Sequence, residues 1–312
     1  MEHLLRSIIF ANNTGKCIFC IRYLAAISVT CNLSVDIIIN EVLFDAEPYG
    51  SEFVEIYNRS DKVIDAGLTY IASCDTSNGV IKSMLPIEEK GYMFMPKTYL
   101  AITQAKEDII KRYSVESPEL LIENAALPSL PDKWGIVALS LRQGSIIDRF
   151  VYNKNMHSPI LANTEGISLE RIWFDQPTNS ASNWYSASQT SGFATPTSKN
   201  SQALDQKNTD DGFTILPDVF TPNNDGVDDL ATINYKLDQT GMQASITIYN
   251  AKGIMMRRLV KNELLGATGV YTWDGSDDQR KAVPEGIYII HIQLFSAKGE
   301  LRNLKKTVLL GR

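Results

Sequence analysis

Short apolar runs of strand length, separated by turn residues, recur along most of this chain and constrain its fold more than any other feature. Residues 53–57 and 146–152 are typical, because both are rich in β-branched or aromatic side chains and place polar residues between apolar ones. One segment, 103–113, instead has the pattern of a short surface helix opened by Thr103. Many short strands without long helices between them are typical of sandwiches and barrels, so the sequence predicts an all-β fold. Further strand-like runs lie at 135–139, 244–250, 270–273, 286–295 and 304–310.

A polar segment after Thr195 separates these runs into two groups. It contains almost no side chains that a core could bury, which is typical of a flexible linker. A chain of 312 residues is also expected to form roughly two domains. We predict two tandem immunoglobulin-like β-sandwiches, with the short surface helix in the first. The expected parts are a leader at 1–35, the first sandwich at 36–201, a linker at 202–212 and the second sandwich at 213–312.

The predicted leader has features of an export signal. Residues 17–31 form an apolar stretch after a weakly basic start, and Ala26 and Ser28 provide a cleavage site with small residues. Arg22 opposes membrane insertion, and the stretch is shorter than the roughly 20 apolar residues of a spanning helix. We interpret residues 1–35 as a degenerate export signal or a disordered leader. A buried leader strand and a translated upstream segment are the alternatives, and the sequence does not tell whether the leader is cleaved.

Charge and histidine content argue against several classes of function. Thirty basic and thirty-six acidic side chains give a formal net charge of −6, whereas nucleic-acid-binding surfaces are basic. The three histidines, His3, His157 and His291, show neither metal-ligand nor catalytic-dyad spacing. The sequence also contains no phosphate-binding loop and no dinucleotide fingerprint. We therefore predict a protein that is not an enzyme and binds no nucleic acid.

One turn suggests a calcium site, although no other cofactor is predicted. Residues 223–229 place oxygen-bearing side chains around Gly226, and calcium takes about six to eight oxygen ligands. An EF-hand is excluded, because its two end positions would be Thr221 and Thr232 rather than carboxylates. The competing interpretation is a turn whose side chains accept hydrogen bonds from main-chain amides. The candidate calcium ligands are Asn223, Asp225, Asp228 and Asp229.

Several other charged side chains are interpreted as structural. Glu41, Glu52 and Glu55 lie on predicted strands, and one alternative is that they converge near one sheet edge and bind a cation. We expect them instead to face solvent or to pair with a basic neighbour such as Arg59. His157 is expected to be a loop residue that makes main-chain hydrogen bonds.

Motifs at the two ends of the first predicted sandwich occur in a characteristic order. The opening contains residues 39–44 (INEVLF) and 50–58 (GSEFVEIYN), and the end contains 165–172 (EGISLERI), 183–184 (NW) and 192–196 (GFATP). In this order they resemble a lamin-tail domain over roughly residues 36–201. Bacterial members of that family usually lie beside other modules, frequently enzymes. The sequence therefore leaves open whether this chain is part of a longer protein.

Five further motifs follow one another in the second predicted sandwich. They are residues 220–229 (FTPNNDGVDD), 248–253 (IYNAKG), 272–278 (TWDGSDD), 283–288 (VPEGIY) and 305–310 (KKTVLL). Together they resemble the immunoglobulin-like domain of flagellar hook-capping proteins, a FlgD-like domain, and related C-terminal modules of gliding bacteria. The resemblance implies an immunoglobulin-like sandwich. In gliding bacteria such modules are cargo signals for type IX secretion.

These resemblances predict a non-enzymatic protein that is exported to the outer cell surface or the extracellular space. The first sandwich is expected to bind a protein or polysaccharide at the cell surface through strand edges or loops. The second is expected to be a spacer or a signal that the secretion machinery recognises through its final strands. An accessory C-terminal fragment of a larger secreted hydrolase and a calcium-dependent adhesin are the alternatives. The sequence identifies neither the ligand nor the oligomeric state.

Overall fold

The computed structural model describes residues 10–11, 17–18, 36–204 and 212–311. The chain divides into two compact units, Met1–Asn32 and Leu33–Arg312. In the first unit, β1 (Phe10–Ala11) pairs antiparallel with β2 (Cys17–Ile18). The rest of the predicted export signal lies outside the described residues. None of the helices that the described residues form has the length and apolarity that a membrane crossing requires.

Twelve short strands and one α-helix build the first sandwich within the second unit. Turn residues interrupt the apolar runs, so the strands stay short. The helix, α1, spans Lys106–Arg112. The strands are β3 (Ile37–Leu43), β4 (Phe53–Asn58), β5 (Ile64–Asp65), β6 (Thr69–Cys74), β7 (Ile81–Pro86), β8 (Met93–Phe94), β9 (Tyr99–Thr103), β10 (Leu121–Glu123), β11 (Trp134–Leu141), β12 (Ile146–Asn153), β13 (Leu169–Arg171) and β14 (Trp184–Ser186).

These strands form two main sheets that face each other across a hydrophobic core. One sheet has the order β10-β9-β4-β3-β13-β14 and the other the order β12-β11-β6-β7, while β5 pairs with β8. The β9–β10 pair is parallel, and the remaining pairs of the two sheets are antiparallel. In the core, Phe150 stacks on Trp184 with 3.7 Å between ring centroids. The indole N–H of Trp184 donates to the carbonyl of Thr178, so this large ring is buried with its donor satisfied.

The six-stranded sheet is buried on both faces at its centre. Every residue of β3 and β4 is buried. Helix α1 and residues 194–203, which we call the covering segment, lie on the face opposite the main core, where Phe53, Ile109 and Ala194 pack together. A β-bulge at Asn40 interrupts the pairing of β3 with β4. Polar side chains on this face therefore meet protein rather than water.

Eight strands build the second sandwich. They form a three-stranded sheet, β15-β17-β20, and a five-stranded sheet, β16-β22-β21-β18-β19, in which β16 runs parallel to β22. Trp273 and Phe220 lie at the centre of the core, with ring centroids 5.2 Å apart. The predictions of an all-β fold and of a short helix in the first sandwich are confirmed. The strands are β15 (Gly212–Leu216), β16 (Val219–Phe220), β17 (Ala231–Lys236), β18 (Met242–Asn250), β19 (Met255–Leu264), β20 (Thr268–Trp273), β21 (Gly286–Ser296) and β22 (Leu301–Leu310).

The start of the predicted helix was wrong. Helix α1 begins at Lys106, and Ala105 occupies its N-cap position. Thr103 is instead the last residue of β9, where it is the register partner of Phe53. Its hydroxyl donates to the main-chain carbonyl of Glu52 at 2.7 Å, so the sheet uses the group that we expected to open the helix.

The two sandwiches contact each other through the end of the covering segment. The N–H of Ala267 donates to the carbonyl of Ser201 at 2.7 Å, and the side-chain amide of Gln202 donates to the carbonyl of Leu265 at 3.1 Å. A Cβ added at Gly266 would lie 2.8 Å from that same Ser201 oxygen. Gln202 of the predicted linker thus lies at this contact, the N–H of Leu204 donates to Ile172 of the first sandwich, and 205–211 lie outside the described residues. The domain boundaries that we predicted remain predictions.

Gly266→Ala tests this contact, because the added methyl group cannot fit against a main-chain carbonyl. We expect the two sandwiches to separate, with a larger radius of gyration in small-angle X-ray scattering and two resolved transitions in calorimetry. Gly212→Ala is the matched control, since nothing lies within 4 Å of its added Cβ. A Gly266→Ala protein that scatters and melts like the control would show that the contact does not hold the sandwiches together.

Candidate functional site

The outer face of the five-stranded sheet in the second sandwich carries an exposed apolar row. Strand β21 alternates, so that Tyr288 and Ile290 enter the core while Ile287 faces outward. Leu309 on β22 is the register partner of both Ile287 and Val219 on β16. Side chains of register partners lie on the same face of a sheet, so three strands present aliphatic groups next to one another. The exposed fractions are 56% for Ile287, 41% for Leu309 and 47% for Val219.

Polar and basic side chains continue the same face along β21 and β22. Thr307 lies opposite Ile289, and Lys305 lies opposite His291. The face is therefore apolar at the end near the C-terminus of β22 and polar or basic further along. A mixed face of this kind can bind a partner through apolar contact at one end and charge at the other.

The four candidate calcium ligands lie in one exposed loop between β16 and β17. Three of them, Asn223, Asp225 and Asp229, accept hydrogen bonds from main-chain N–H groups of the same loop. Within the described residues, no three His, Cys, Asp or Glu side chains are grouped in a way that could hold a metal ion. The calcium site, including Asp228, remains a prediction. The bonds are Asn224 and Gly226 to Asp229 at 2.6 and 2.8 Å, Val227 to Asp225 at 2.8 Å and Asp225 to Asn223 at 2.9 Å.

Three buried glutamates lie side by side on neighbouring strands of the first sandwich. Glu41 on β3 is the register partner of both Glu55 on β4 and Glu170 on β13. All three are fully buried, so the prediction that Glu41 and Glu55 face solvent was wrong. The covering segment follows β4 by more than 130 residues in the sequence. It lies over this glutamate row and excludes water from it.

The covering segment provides the hydrogen-bond donors that this row needs. One main-chain N–H from the segment reaches each of the three carboxyl groups, and hydroxyl groups complete the contacts. Buried polar groups are stable only when they are hydrogen-bonded, so the row holds the segment against the sheet. The N–H bonds run from Thr195 to Glu41 at 2.9 Å, from Thr197 to Glu55 at 2.6 Å and from Gln202 to Glu170 at 2.8 Å.

Both contacts of the Thr195 hydroxyl are satisfied when the glutamate row carries a proton. The Thr195 hydroxyl oxygen lies 3.1 Å from Oε2 of Glu41 and 2.8 Å from Oε1 of Glu170, but a hydroxyl carries a single hydrogen. A protonated Glu41 that donates to Thr195, which in turn donates to Glu170, satisfies both contacts. Burial and the nearby charge of Glu170 raise the pKa of Glu41 to about 8. Burial also raises the pKa values of Glu55 and Glu170.

Glu52 and Arg59 do not take part in the glutamate row. A carboxylate oxygen of Glu52 accepts the N–H of Leu130 at 2.8 Å, and burial raises the pKa of Glu52 to about 7. The guanidinium of Arg59 donates to the carbonyl of Phe174 at 2.6 Å and lies 3.7 Å from Asp175. The pairing that we expected between Arg59 and the strand glutamates was therefore wrong.

His157 bonds a side chain rather than the main chain through its ring. Its Nδ1 lies 3.0 Å from the hydroxyl oxygen of Ser186, which also accepts the N–H of Ser158 at 2.9 Å. Burial lowers the pKa of His157 to about 4, so the ring is neutral at physiological pH. Ser186 is fully buried, and a substrate cannot reach its hydroxyl. This pair anchors the loop after β12 to β14.

The outer-face row lies within a recognised secretion domain. Residues 214–309 match the family model described as the CHU_C type IX secretion signal domain. The chain is therefore an exported protein of the cell surface or extracellular space, and the match to a signal domain implies recognition by the type IX secretion machinery. No protein of curated function matches the sequence of this chain.

Three solved structures show weak similarity to the chain. FlgD from P. aeruginosa has 20% identity and a TM-score of 0.23, and the match covers 26% of this chain and 62% of that chain. Dimeric latent PorU from Porphyromonas gingivalis has 10% identity and a TM-score of 0.24, covering 95% of this chain and 22% of that chain. PorZ, an essential surface component of the type IX secretion system of the same organism, has 12% identity and a TM-score of 0.25, covering 88% and 39%. Scores this low assign no function to this chain.

Asp229→Ala tests the role of the loop at 223–229. We expect a lower melting temperature, because two main-chain N–H groups lose their acceptor. The loss should be the same in EDTA and in millimolar calcium if the loop is a hydrogen-bonded turn. A calcium site gives the opposite result: calcium at one hundred times its Kd would stabilise the wild-type protein by about 2.7 kcal/mol, and Asp229→Ala would abolish that gain.

Glu41→Gln tests the protonated row. The folded protein keeps a proton on Glu41 up to about pH 8, whereas the unfolded chain releases it near 4.5. The free energy of unfolding should therefore fall as pH rises between these values, by at most about 1.4 kcal/mol per pH unit for each proton. Glutamine mimics the protonated acid, so the variant should show a smaller slope in urea titrations from pH 5 to 8. Glu89→Gln, at an exposed site, should keep the wild-type slope, and an unchanged slope in Glu41→Gln would contradict the assignment.

Proposed function

We propose that the protein is a non-enzymatic surface protein with a binding module and a sorting module. The first sandwich, a lamin-tail-like domain, binds a protein or polysaccharide of the cell surface. The second sandwich is the sorting signal, and its final strands provide the surface that the machinery recognises. The observation that carries the proposal is the match of residues 214–309 to a type IX secretion signal, because such a signal exports the module to which it is attached and the first sandwich precedes it in this chain.

The glutamate row supports the lamin-tail part of the proposal. Each of its three glutamates lies in one of the motifs on which that resemblance depends: Glu41 in INEVLF, Glu55 in GSEFVEIYN and Glu170 in EGISLERI. Thr195, in the closing GFATP motif, bonds two of them. Motifs that lie far apart in the sequence thus meet at one buried cluster. The packing of this one cluster gives a physical reason why the motifs of the lamin-tail resemblance occur together.

The apolar row supports recognition through the final strands. Ile287, Leu309 and Val219 remain exposed although the second sandwich has a complete core on the other face of the same sheet. An exposed contiguous apolar group on a soluble domain is typical of an interaction surface. Two of the three residues lie on the last two strands of the chain.

Secretion of a doubly substituted protein tests this surface. The tagged full chain is produced in a bacterium that has a type IX machinery, and cells and medium are fractionated. We expect Ile287→Ser combined with Leu309→Ser to keep the chain inside the cell, because the apolar contact is lost without a change in the core. Leu216→Ser is the matched control, since Leu216 is equally exposed, at 54%, on the other sheet and outside the apolar row. Both purified variants should melt like the wild type. Normal export of the double variant would contradict the proposed surface.

A further inference from the structure

A groove crosses the first sandwich and ends at its contact with the second. It consists of two adjoining depressions of about 410 and 530 Å³ that share Arg112, Tyr113 and Gly192. One end is lined by Glu47, from the loop between β3 and β4. The other end is lined by residues 268–270 of β20 in the second sandwich. The groove is therefore elongated and open, a shape suited to an extended chain.

Hydroxyl groups dominate the junction end of the groove. Half of the residues that line it are serine or threonine; Ser188 and Thr195 are buried, whereas Ser114, Thr190 and Thr268 are exposed. A hydroxyl both donates and accepts hydrogen bonds, so such a lining matches a ligand whose own groups do the same. Sugar hydroxyls have this property, whereas phosphate and carboxylate oxygens only accept.

The charges along the groove nearly cancel. Arg112 is bound by Glu47 and Asp108, each at 2.8 Å. Lys199 is the other basic residue of the lining, and Glu116 and Glu165 are acidic. A groove with balanced charge gives no net attraction to a polyanion. The lining therefore favours a neutral ligand.

Two aromatic residues in or beside the segments that line the groove near Glu47 adopt a backbone conformation that suits glycine. Phe193, which lines the groove, has φ of 70°, and Tyr49, two residues after Glu47, has φ of 62°. This left-handed region is uncommon for bulky side chains, and such strain concentrates at functional sites. The Tyr49 side chain is fully exposed and contributes no burial to the fold. The ring is therefore available to a partner outside the chain.

We infer that this groove binds a neutral polysaccharide, with the rings of Phe193 and Tyr49 against sugar rings and the serine and threonine hydroxyls bonding sugar hydroxyls. The inference rests on the proposed function, in which the first sandwich is a binding module. A peptide would use the groove differently. It would pair with β20, an edge strand of its sheet, and only residues 268–270 of that edge reach the groove.

Glycine substitutions test the contribution of the two rings to binding separately from their contribution to stability. Phe193→Gly and Tyr49→Gly remove the side chain and place the residue that best tolerates a positive φ. Tyr49 is fully exposed, so Tyr49→Gly should keep its thermal stability, and a melting curve of Phe193→Gly, at a half-buried site, verifies that this variant is folded. Arg280→Gly is the matched control, because Arg280 has φ of 61° on the second sandwich and lies outside the groove lining. In affinity electrophoresis of the full chain, we expect dextran, mannan, laminarin or xylan to retard the wild type and the control. Retardation should weaken about tenfold in each aromatic variant, and alginate should retard none.

Binding to washed cell envelopes separates failure of this inference from failure of the proposed function. Envelope binding that is lost after periodate oxidation of glycans and in Phe193→Gly supports the inference. Envelope binding that survives periodate but is lost after protease treatment overturns the inference and keeps the binding module, with a protein partner. No binding to envelopes or to any of the polysaccharides overturns both.

Discussion

The first sandwich depends on three buried carboxyl groups and the segment that covers them. Burial of Glu41, Glu55 and Glu170 without partners would cost more free energy than a domain of this size can lose. The covering segment supplies the missing donors, and in return the sheet supplies the acceptors that this segment of irregular backbone needs. Neither the row nor the segment is stable without the other. The first sandwich is therefore complete only when its last residues have returned to its central strands.

The strands themselves are readable from the sequence because their pattern is local. Residues 53–57 lie within β4, 146–152 within β12 and 286–295 within β21. In each, the side-chain period of two matches one face toward the core. The helix was also predicted, but Thr103 was assigned to it and belongs to β9. A threonine is favourable both as a helix cap and in a strand, so pairing with β4 decided between the two.

The burial of the glutamates was not predicted, because it depends on contacts that are distant in sequence. Glu41 bonds Thr195, 154 positions later, and no local pattern reports such a contact. A signal was nevertheless present. The residues two positions before and after each of Glu41 and Glu55 are apolar. In a regular strand, residues two positions apart share a sheet face, so the pattern is typical of a strand covered on both faces. The alternation of polar and apolar residues led to the prediction that both glutamates face solvent. That prediction holds only for a sheet whose second face is open to water.

Residues 193–201, which include most of the covering segment, connect three features of the structure. The Thr195 hydroxyl contacts two carboxyl groups of the glutamate row, Phe193 lines the groove, and the carbonyl of Ser201 accepts a hydrogen bond from the second sandwich. These contacts occur within nine residues of continuous chain, so displacement at one of them strains the others. The second sandwich is thereby fixed on the side of β20 and the 265–267 turn, while β21 and β22 lie in its other sheet. The second sandwich can contact the first sandwich through one sheet, while the outer face of the sheet that contains β21 and β22 stays available for recognition.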